Sequence, residues 1–190
     1  MGAIRFAAVP TALGAFGVAW SEVGIVRTWL HERTEGRTRA AVLRELPGAV
    51  EATPPPDVAD AVADVVALLA GERRLPTVAL DQRSIPAFDQ RVYAFARTIL
   101  PGETVTYGAV ARALGEEPMR ARDVGVALAR NPFAPIVPCH RIVAANGSLG
   151  GYSAPGGAAT KRRLLELEGA AIVAPPPPPA QVGLFDEPAG

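Results

Sequence analysis

Cysteine is all but missing from this chain: Cys139 is the only one, and histidine is nearly as scarce, with His31 and His140 alone. A single thiol excludes intrachain disulfides and any zinc site built on several cysteines, and it suits a reducing compartment. Net charge is missing as well, because 19 Lys and Arg balance 19 Asp and Glu. The overall balance therefore points to no polyanionic partner. Long apolar runs are also absent. Met1 to Trp20 is broken by Pro10, Gly14 and Gly17 and holds no convincing cleavage site, so a folded cytoplasmic chain with no membrane span is expected.

What is present is an ordinary globular composition. With 190 residues, 49% of them hydrophobic, the chain has enough apolar surface for one large or two small domains. Charge divides unevenly between the halves. Residues 86–170 carry ten Lys or Arg against seven Asp or Glu, net +3, whereas residues 1–85 carry nine against ten, net −1.

Ile4 to Val9, Phe16 to Trp20 and Ile25 to Leu30 are short, rich in β-branched or aromatic residues and separated by turn formers, which predicts an antiparallel meander. Thr38 to Leu46, capped by its threonine and stopped by Pro47-Gly48, predicts a short helix. From Asp57 as N-cap, Val58, Val62, Val65, Val66 and Leu69 recur at helical spacing up to Gly71. His31, with no second ligand nearby, is expected on the surface.

Beyond a connector, Ser84-Ile85-Pro86 opens a helix whose face is Phe88, Val92, Phe95, Ile99 and Leu100, stopped by Pro101-Gly102. Two further helices follow, one from Thr106-Tyr107 to about Leu114 and one from Pro118 to Arg130, ended by Asn131-Pro132. Their short Gly-containing connection suggests a helix-turn-helix. Arg141 to Ala145 and Ser148 to Tyr152 flank Asn146-Gly147, a hairpin signal. Thr160 to Leu167 reads as a helix with Lys161, Arg162 and Arg163 outward and Leu164, Leu165 and Leu167 inward. The expected class is α+β: a small amino-terminal antiparallel sheet with helices over residues 1–85, then a mostly helical domain over residues 86–170 with a winged helix-turn-helix-like element. Residues 171–190 form a proline-rich tail.

The chemistry concentrates at Pro138-Cys139-His140-Arg141-Ile142-Val143. A thiol is nucleophilic as thiolate, and at a free pKa of about 8.5 only a few per cent is ionised near neutrality. His140 is a ready base, but neighbours in an extended segment point to opposite faces, so a bridging water or a local twist is required.

That hexapeptide resembles the signature of the O6-alkylguanine-DNA alkyltransferases, repair proteins that move an alkyl group from guanine O6 onto their own cysteine. Asn131-Pro132 before it, Gly151-Tyr152-Ser153 after it and Leu164-Leu165-Glu166-Leu167-Glu168-Gly169 agree. The resemblance is strong over residues 86–170 and weak over 1–85. It implies Cys139 as nucleophile, His140 as water-mediated base, Glu168 as the carboxylate orienting His140, Tyr107 as hydroxyl donor near guanine N3, and Asn131 as brace of the turn. It also implies Arg122 as the side chain that takes the extruded base's place, with Ser153, Tyr152, Arg141 and Arg130 contacting base or DNA. Asp123 and Glu116-Glu117 depart from the pattern by bringing carboxylates near a phosphate backbone, and Ala154-Pro155 lengthens the loop.

Some relatives hold zinc in the amino-terminal domain through Cys and His ligands, a site this chain cannot build, and no metal or cofactor is expected. The expected partner is double-stranded DNA containing O6-alkylguanine, bound by a monomer. In the tail, Gln181, Leu184 and Phe185 resemble the peptide by which bacterial repair proteins hold the sliding clamp. One rival reading is a non-catalytic lesion-binding or regulatory protein on the same scaffold, which would lack the cysteine. Another is a cysteine hydrolase, for which no oxyanion-hole signal is present.

Overall fold

The β-rich amino-terminal runs form the expected meander: β1 (Arg5–Thr11), β2 (Gly14–Trp20) and β3 (Ile25–Glu32) pair antiparallel in a computed structural model that describes residues 2–32 and 34–171. The side chains of residues 31 and 32 are outside that description, so the reading of His31 lies outside it too. The sheet is mixed and not purely antiparallel, because β4 (Val50–Glu51) joins β1 in parallel, giving the order β3-β2-β1-β4. A two-residue strand has no periodicity to read.

Helix α1 (Glu35–Glu45) starts earlier than expected. Thr34, in extended conformation, is its N-cap and accepts from Arg37 N at 3.3 Å, whereas Thr38 is buried within the helix. Thr38 lies so close to the sheet that a Cβ on Gly17 would meet its Cγ2 at 2.5 Å, which is why a glycine interrupts β2. In α2 (Pro56–Leu69) the expected cap Asp57 instead sits in the first turn, where its charge favours the helix N-terminus. Pro55 is the N-cap and Pro56 opens the helix. Of the predicted face, Val58, Val62, Val65 and Leu69 are buried together with Ala61 and Leu68, while Val66 is only partly buried.

Helix α3 (Ala87–Ala96) is shorter than predicted. Ile99 is buried beyond its end, and Leu100, assigned to the apolar face, is exposed. The helix-turn-helix consists of α4 (Tyr107–Ala113), capped by Thr106 accepting from Ala109 N at 3.2 Å, and α5 (Ala121–Ala129), entered through a 3-10 turn at Pro118–Arg120. Tyr93 locks α5 onto α3 by donating its hydroxyl to Ala127 O at 2.9 Å.

The predicted hairpin is corrected. Asn146-Gly147 turns the chain, with Ala144 N donating to Ser148 O at 3.0 Å, but no second strand follows. Instead β6 (Ile142–Val143) pairs in parallel with β5 (Val105–Thr106), so the segment after the cysteine is sewn to the start of α4. Helix α6 (Gly157–Leu167) closes the fold.

The class is α+β. One apolar cluster runs from Phe16, Val18 and Trp20 through Val65 and Leu68 to Val92, Val110, Phe133 and Leu164. That cluster draws on residues from both sides of residue 85. Each large side chain fully buried in that cluster contributes roughly 1.5–3 kcal/mol before conformational entropy is set against it. Among the described residues no helix is long and apolar enough to cross a membrane.

Candidate functional site

Pro138 ends the segment that follows α5, and Cys139–Arg141 then forms one 3-10 turn. At three residues per turn, successive side chains fan out instead of sharing a face. Cys139 is left facing a cavity while His140 and Arg141 turn into the protein. Cys139 is 5% exposed, and His140 and Arg141 are fully buried. The local twist required by the adjacency of Cys139 and His140 is this turn.

Behind the cysteine lies a charged cluster centred on Glu168, the residue that ends α6. Its carboxylate takes His140 Nε2 at 2.8 Å, Arg141 Nη2 at 2.7 Å and Nε at 3.0 Å, and the Gly102 amide at 3.3 Å. Burial pushes the Glu168 carboxyl upward, but the hydrogen bonds from His140 and Arg141 and the Arg141 charge prevail and hold it at about 2. An ionised carboxylate only accepts, so His140 Nε2 carries the proton. Burial holds His140 below the usual imidazole range despite Glu168, which leaves the ring neutral. Its Nδ1 is therefore an acceptor, is buried, and has no protein partner among the described residues. The cluster holds the imidazole in the tautomer whose Nδ1 can accept a proton.

Burial pushes the Cys139 thiol up, opposed by the Asn131 side chain, the Lys161 charge and Tyr152. Asn131 braces the preceding turn as expected: its Oδ1 accepts from Phe133 N at 2.9 Å and its Nδ2 donates to Val137 O at 3.0 Å. The Tyr152 hydroxyl is buried with no hydrogen-bond partner among the described residues, and burial and the thiol raise its pKa well above the ordinary phenol range.

The cavity that Cys139 faces encloses about 810 Å³ and is also lined by Tyr107, Gly108, Pro118, Ala121, Arg122, Gly125, Val126, Gly151, Tyr152 and Ser153. The structure thus gathers Cys139, Tyr107, Arg122, Tyr152 and Ser153 around one space. Small residues on α5 make its outer face shallow. Arg122 projects from that face, exposed and, among the described residues, without an ion pair. Two of the three carboxylates near it are engaged elsewhere: Arg120 pairs with Asp123 at 2.7 Å and with Glu116 at 3.1 Å, and Arg91 holds Glu116 at 3.0 Å, whereas Glu117 is exposed. A second cavity of about 490 Å³ also reaches Cys139, between Asn131, Ala134 and Ala154-Pro155 on one side and Thr28 and Trp29 on the other.

Two residues expected to meet nucleic acid are paired within the protein, Arg141 wholly buried and Arg130 with its side chain still 57% exposed. Arg141 is fully buried against Glu168 and Ile99 O, because the interior carboxylate requires a fixed cation. Arg130 is bound through two nitrogens to the buried Asp89, at 3.0 and 3.1 Å, tying α5 to α3. Gln181, Leu184 and Phe185 lie outside the described residues.

Lys161 is the site residue that the sequence reading sent to the wrong side. It is fully buried, donates to Ile142 O at 2.6 Å, lies 3.4 Å from the Tyr107 hydroxyl and 3.5 Å from Gly151 O, and is lowered to about 8 by burial. The signal was present: Lys161, Leu164, Leu165 and Glu168 follow the i, i+3, i+4, i+7 spacing of one inward stripe. Gly150 completes this corner, because a Cβ there would come within 2.9 Å of the Tyr107 hydroxyl.

Comparison with known proteins agrees with this architecture. The family model described as 6-O-methylguanine DNA methyltransferase, DNA binding domain, matches residues 87–170. A methylated-DNA–protein-cysteine methyltransferase of Metallosphaera sedula is 52% identical over 84 residues, which is 44% of this chain and 50% of that protein. The chain thus spans half the length of that relative. One of the same name from Mycobacterium tuberculosis is 47% identical over 117 residues, 61% of this chain and 68% of the relative. A crystal structure of Mycobacterium tuberculosis OGT in complex with DNA superposes with a TM-score of 0.70 at 33% identity, covering 87% of this chain and 92% of the other. The chain belongs to the methylated-DNA–protein-cysteine methyltransferase (O6-methylguanine DNA methyltransferase) family.

Proposed function

We propose that this protein repairs DNA by moving the methyl group of O6-methylguanine onto its own Cys139. The observation that carries the reading is the placement of the thiol between an accessible cavity and a fixed, neutral imidazole. The O6-methyl group of a stacked base is out of reach of a side chain at the bottom of a cavity, so the nucleotide is rotated out of the duplex, at a cost of a few kcal/mol. Arg122 fills the space the base leaves, where a planar guanidinium stacks and donates hydrogen bonds at once. The small-residue face of α5 lets the duplex approach.

In the cavity, Ser153 and main-chain groups of the cysteine segment meet the edge of the base, and Tyr107 lies against it as hydroxyl donor. The thiol proton passes through a water to His140 Nδ1, and Glu168 steadies the imidazolium that results. The thiolate attacks the methyl carbon, a sulfur–carbon bond forms, and the carbon–oxygen bond breaks with its electron pair leaving on guanine O6. The guanine anion takes a proton from Tyr107, restored from the His140 side through solvent. Atoms and charge balance as thiol plus O6-methylguanine giving thioether plus guanine. A thioether is stable to cellular reductants, so each molecule acts once.

The expected setting is the cytoplasm, with the protein a monomer. In the tail, Gln181, Leu184 and Phe185, outside the described residues, are proposed to dock on a sliding clamp. Equal retention on immobilised clamp of the full chain and a chain ending at Ala174 would remove that part. The central proposal is tested with a duplex carrying one O6-methylguanine. The wild-type protein is expected to restore guanine and Cys139→Ser to leave the lesion intact. Loss of the lesion with the serine variant overturns the assignment.

A further inference from the structure

Strand β3 is an edge of the amino-terminal sheet, and an edge strand leaves a row of backbone groups to be satisfied from elsewhere. Two segments of the chain cover it. Near its start, Ile25 N donates to Ala79 O at 2.9 Å and Asp81 N donates to Ile25 O at 2.8 Å. Farther along, the cover is the segment that leads into the cysteine: Thr28 N donates to Pro132 O at 2.8 Å, and Thr28 Oγ1 lies 2.6 Å from Ala134 O and 3.2 Å from Pro132 O. The hydroxyl has one proton, and the shorter contact assigns it to Ala134 O.

We propose that Thr28 is a positioning residue for the methyl transfer, holding from the amino-terminal sheet the segment that aims Cys139. The inference rests on the reading of Cys139 given above and extends it to a residue in the half of the chain that carries no chemistry of its own.

Residues 131–137 are gripped from both sides. Asn131 holds the inner side through Phe133 N and Val137 O, and Thr28 holds the outer side through the carbonyls of Pro132 and Ala134. Phe133 O then accepts from Val137 N at 3.0 Å, and Val137 O accepts from Cys139 N at 2.8 Å. A short run of hydrogen bonds therefore connects the sheet edge to the nucleophile. Thr28 is 8% exposed, so water competes little for the grip. The same residues, Thr28, Asn131, Pro132, Ala134 and Cys139, line the second cavity, which places the grip and the thiol on one wall. Without the hydroxyl, Ala134 O loses its donor and the outer side keeps only the Thr28 amide on Pro132 O, so the segment that aims Cys139 is held less firmly.

The test compares Thr28→Val, which keeps the backbone N–H and approximate volume but removes the hydroxyl, with Thr28→Ser, which keeps both donors. Single-turnover transfer is measured on saturating O6-methylguanine duplex across pH, together with duplex affinity and thermal unfolding. The valine variant is expected to transfer roughly tenfold to a hundredfold more slowly, as for small misplacements of a reacting group, with its rate profile shifted to higher pH. Duplex affinity should be unchanged and serine should restore the rate. A valine variant as fast as wild type overturns the proposal, as does equal slowing by serine and valine, or a loss explained by weaker DNA binding. If valine prevents folding, Thr28→Ala is read against serine by the same criteria. Failure of the wild-type protein to transfer at all would bring down the functional reading instead, so the two outcomes are separable.

Discussion

The inward and outward sides of Cys139 are built on opposite terms. Inward, His140, Arg141 and Glu168 are fully or almost fully buried; the Arg141 and Glu168 charges are matched at 2.7 Å, and the neutral His140 ring donates to the same carboxylate at 2.8 Å. Outward, Arg122 stands exposed with no ion pair among the described residues, on a helix face of small side chains. A base and its orienting carboxylate must be set before the substrate arrives, because transition-state stabilisation depends on groups that need no rearrangement. A side chain that enters a duplex must instead remain uncommitted until DNA supplies its partners. Asp123 and Glu116 fit this division, since Arg120 and Arg91 hold them away from Arg122.

The largest effect is expected on the inward side. Glu168→Gln removes the anion that offsets Arg141 and fixes His140, leaving a buried cation without its charge partner. A loss of about 3 kcal/mol in stability near neutrality is predicted, since breaking one partner of a buried pair typically costs that much. Transfer should slow by roughly a hundredfold or more, the usual scale for a positioned general base. The folded-state pKa of Glu168 lies near 2, below its ordinary value of 4.5, so its contribution is fully present above pH 4.5 and is lost as pH falls toward 2. The stability difference between wild type and variant should close over that window in denaturant titrations. A gap independent of pH would mean that the cluster is held by packing and not by charge.

The outward side should respond more mildly and in a different observable. Arg122→Ala is expected to slow transfer from duplex DNA by roughly tenfold to thirtyfold, the equivalent of one to two kcal/mol of the cost of extruding a base. Its reaction with free O6-methylguanine nucleobase, which needs no extrusion, should match wild type, and its thermal stability should not change. Equal slowing on both substrates would erase the distinction between the two sides.

The parts of this design legible in the sequence were those with a local cause. Proline and glycine stops placed most helix ends, the spacing of Val58, Val62, Val65 and Leu69 gave the buried face of α2, and the residues around Cys139 gave the thiol and imidazole proposed as nucleophile and base. Choices settled by tertiary partners were not legible. Thr34 and Thr38 are equally good caps locally, and packing against Gly17 puts the second inside the helix. Lys161 read as a surface cation and Arg141 as a nucleic-acid contact because long charged side chains rarely lie in a core. Glu168 and the Ile142 carbonyl, distant in sequence, supply the partners that keep them there. The parallel pairing of β5 with β6 joins residues far apart in the chain, and the Asn146-Gly147 turn held no information about it.

The central claim is that a single thiol accepts the alkyl group and is consumed. Titrating a fixed amount of protein with increasing O6-methylguanine duplex and measuring intact mass tests it most directly. The account predicts that guanine restored rises to one equivalent per protein molecule and stops, with each molecule gaining one methylene on the Cys139 peptide. Continued repair beyond one equivalent, or repair with Cys139 unmodified, would contradict it.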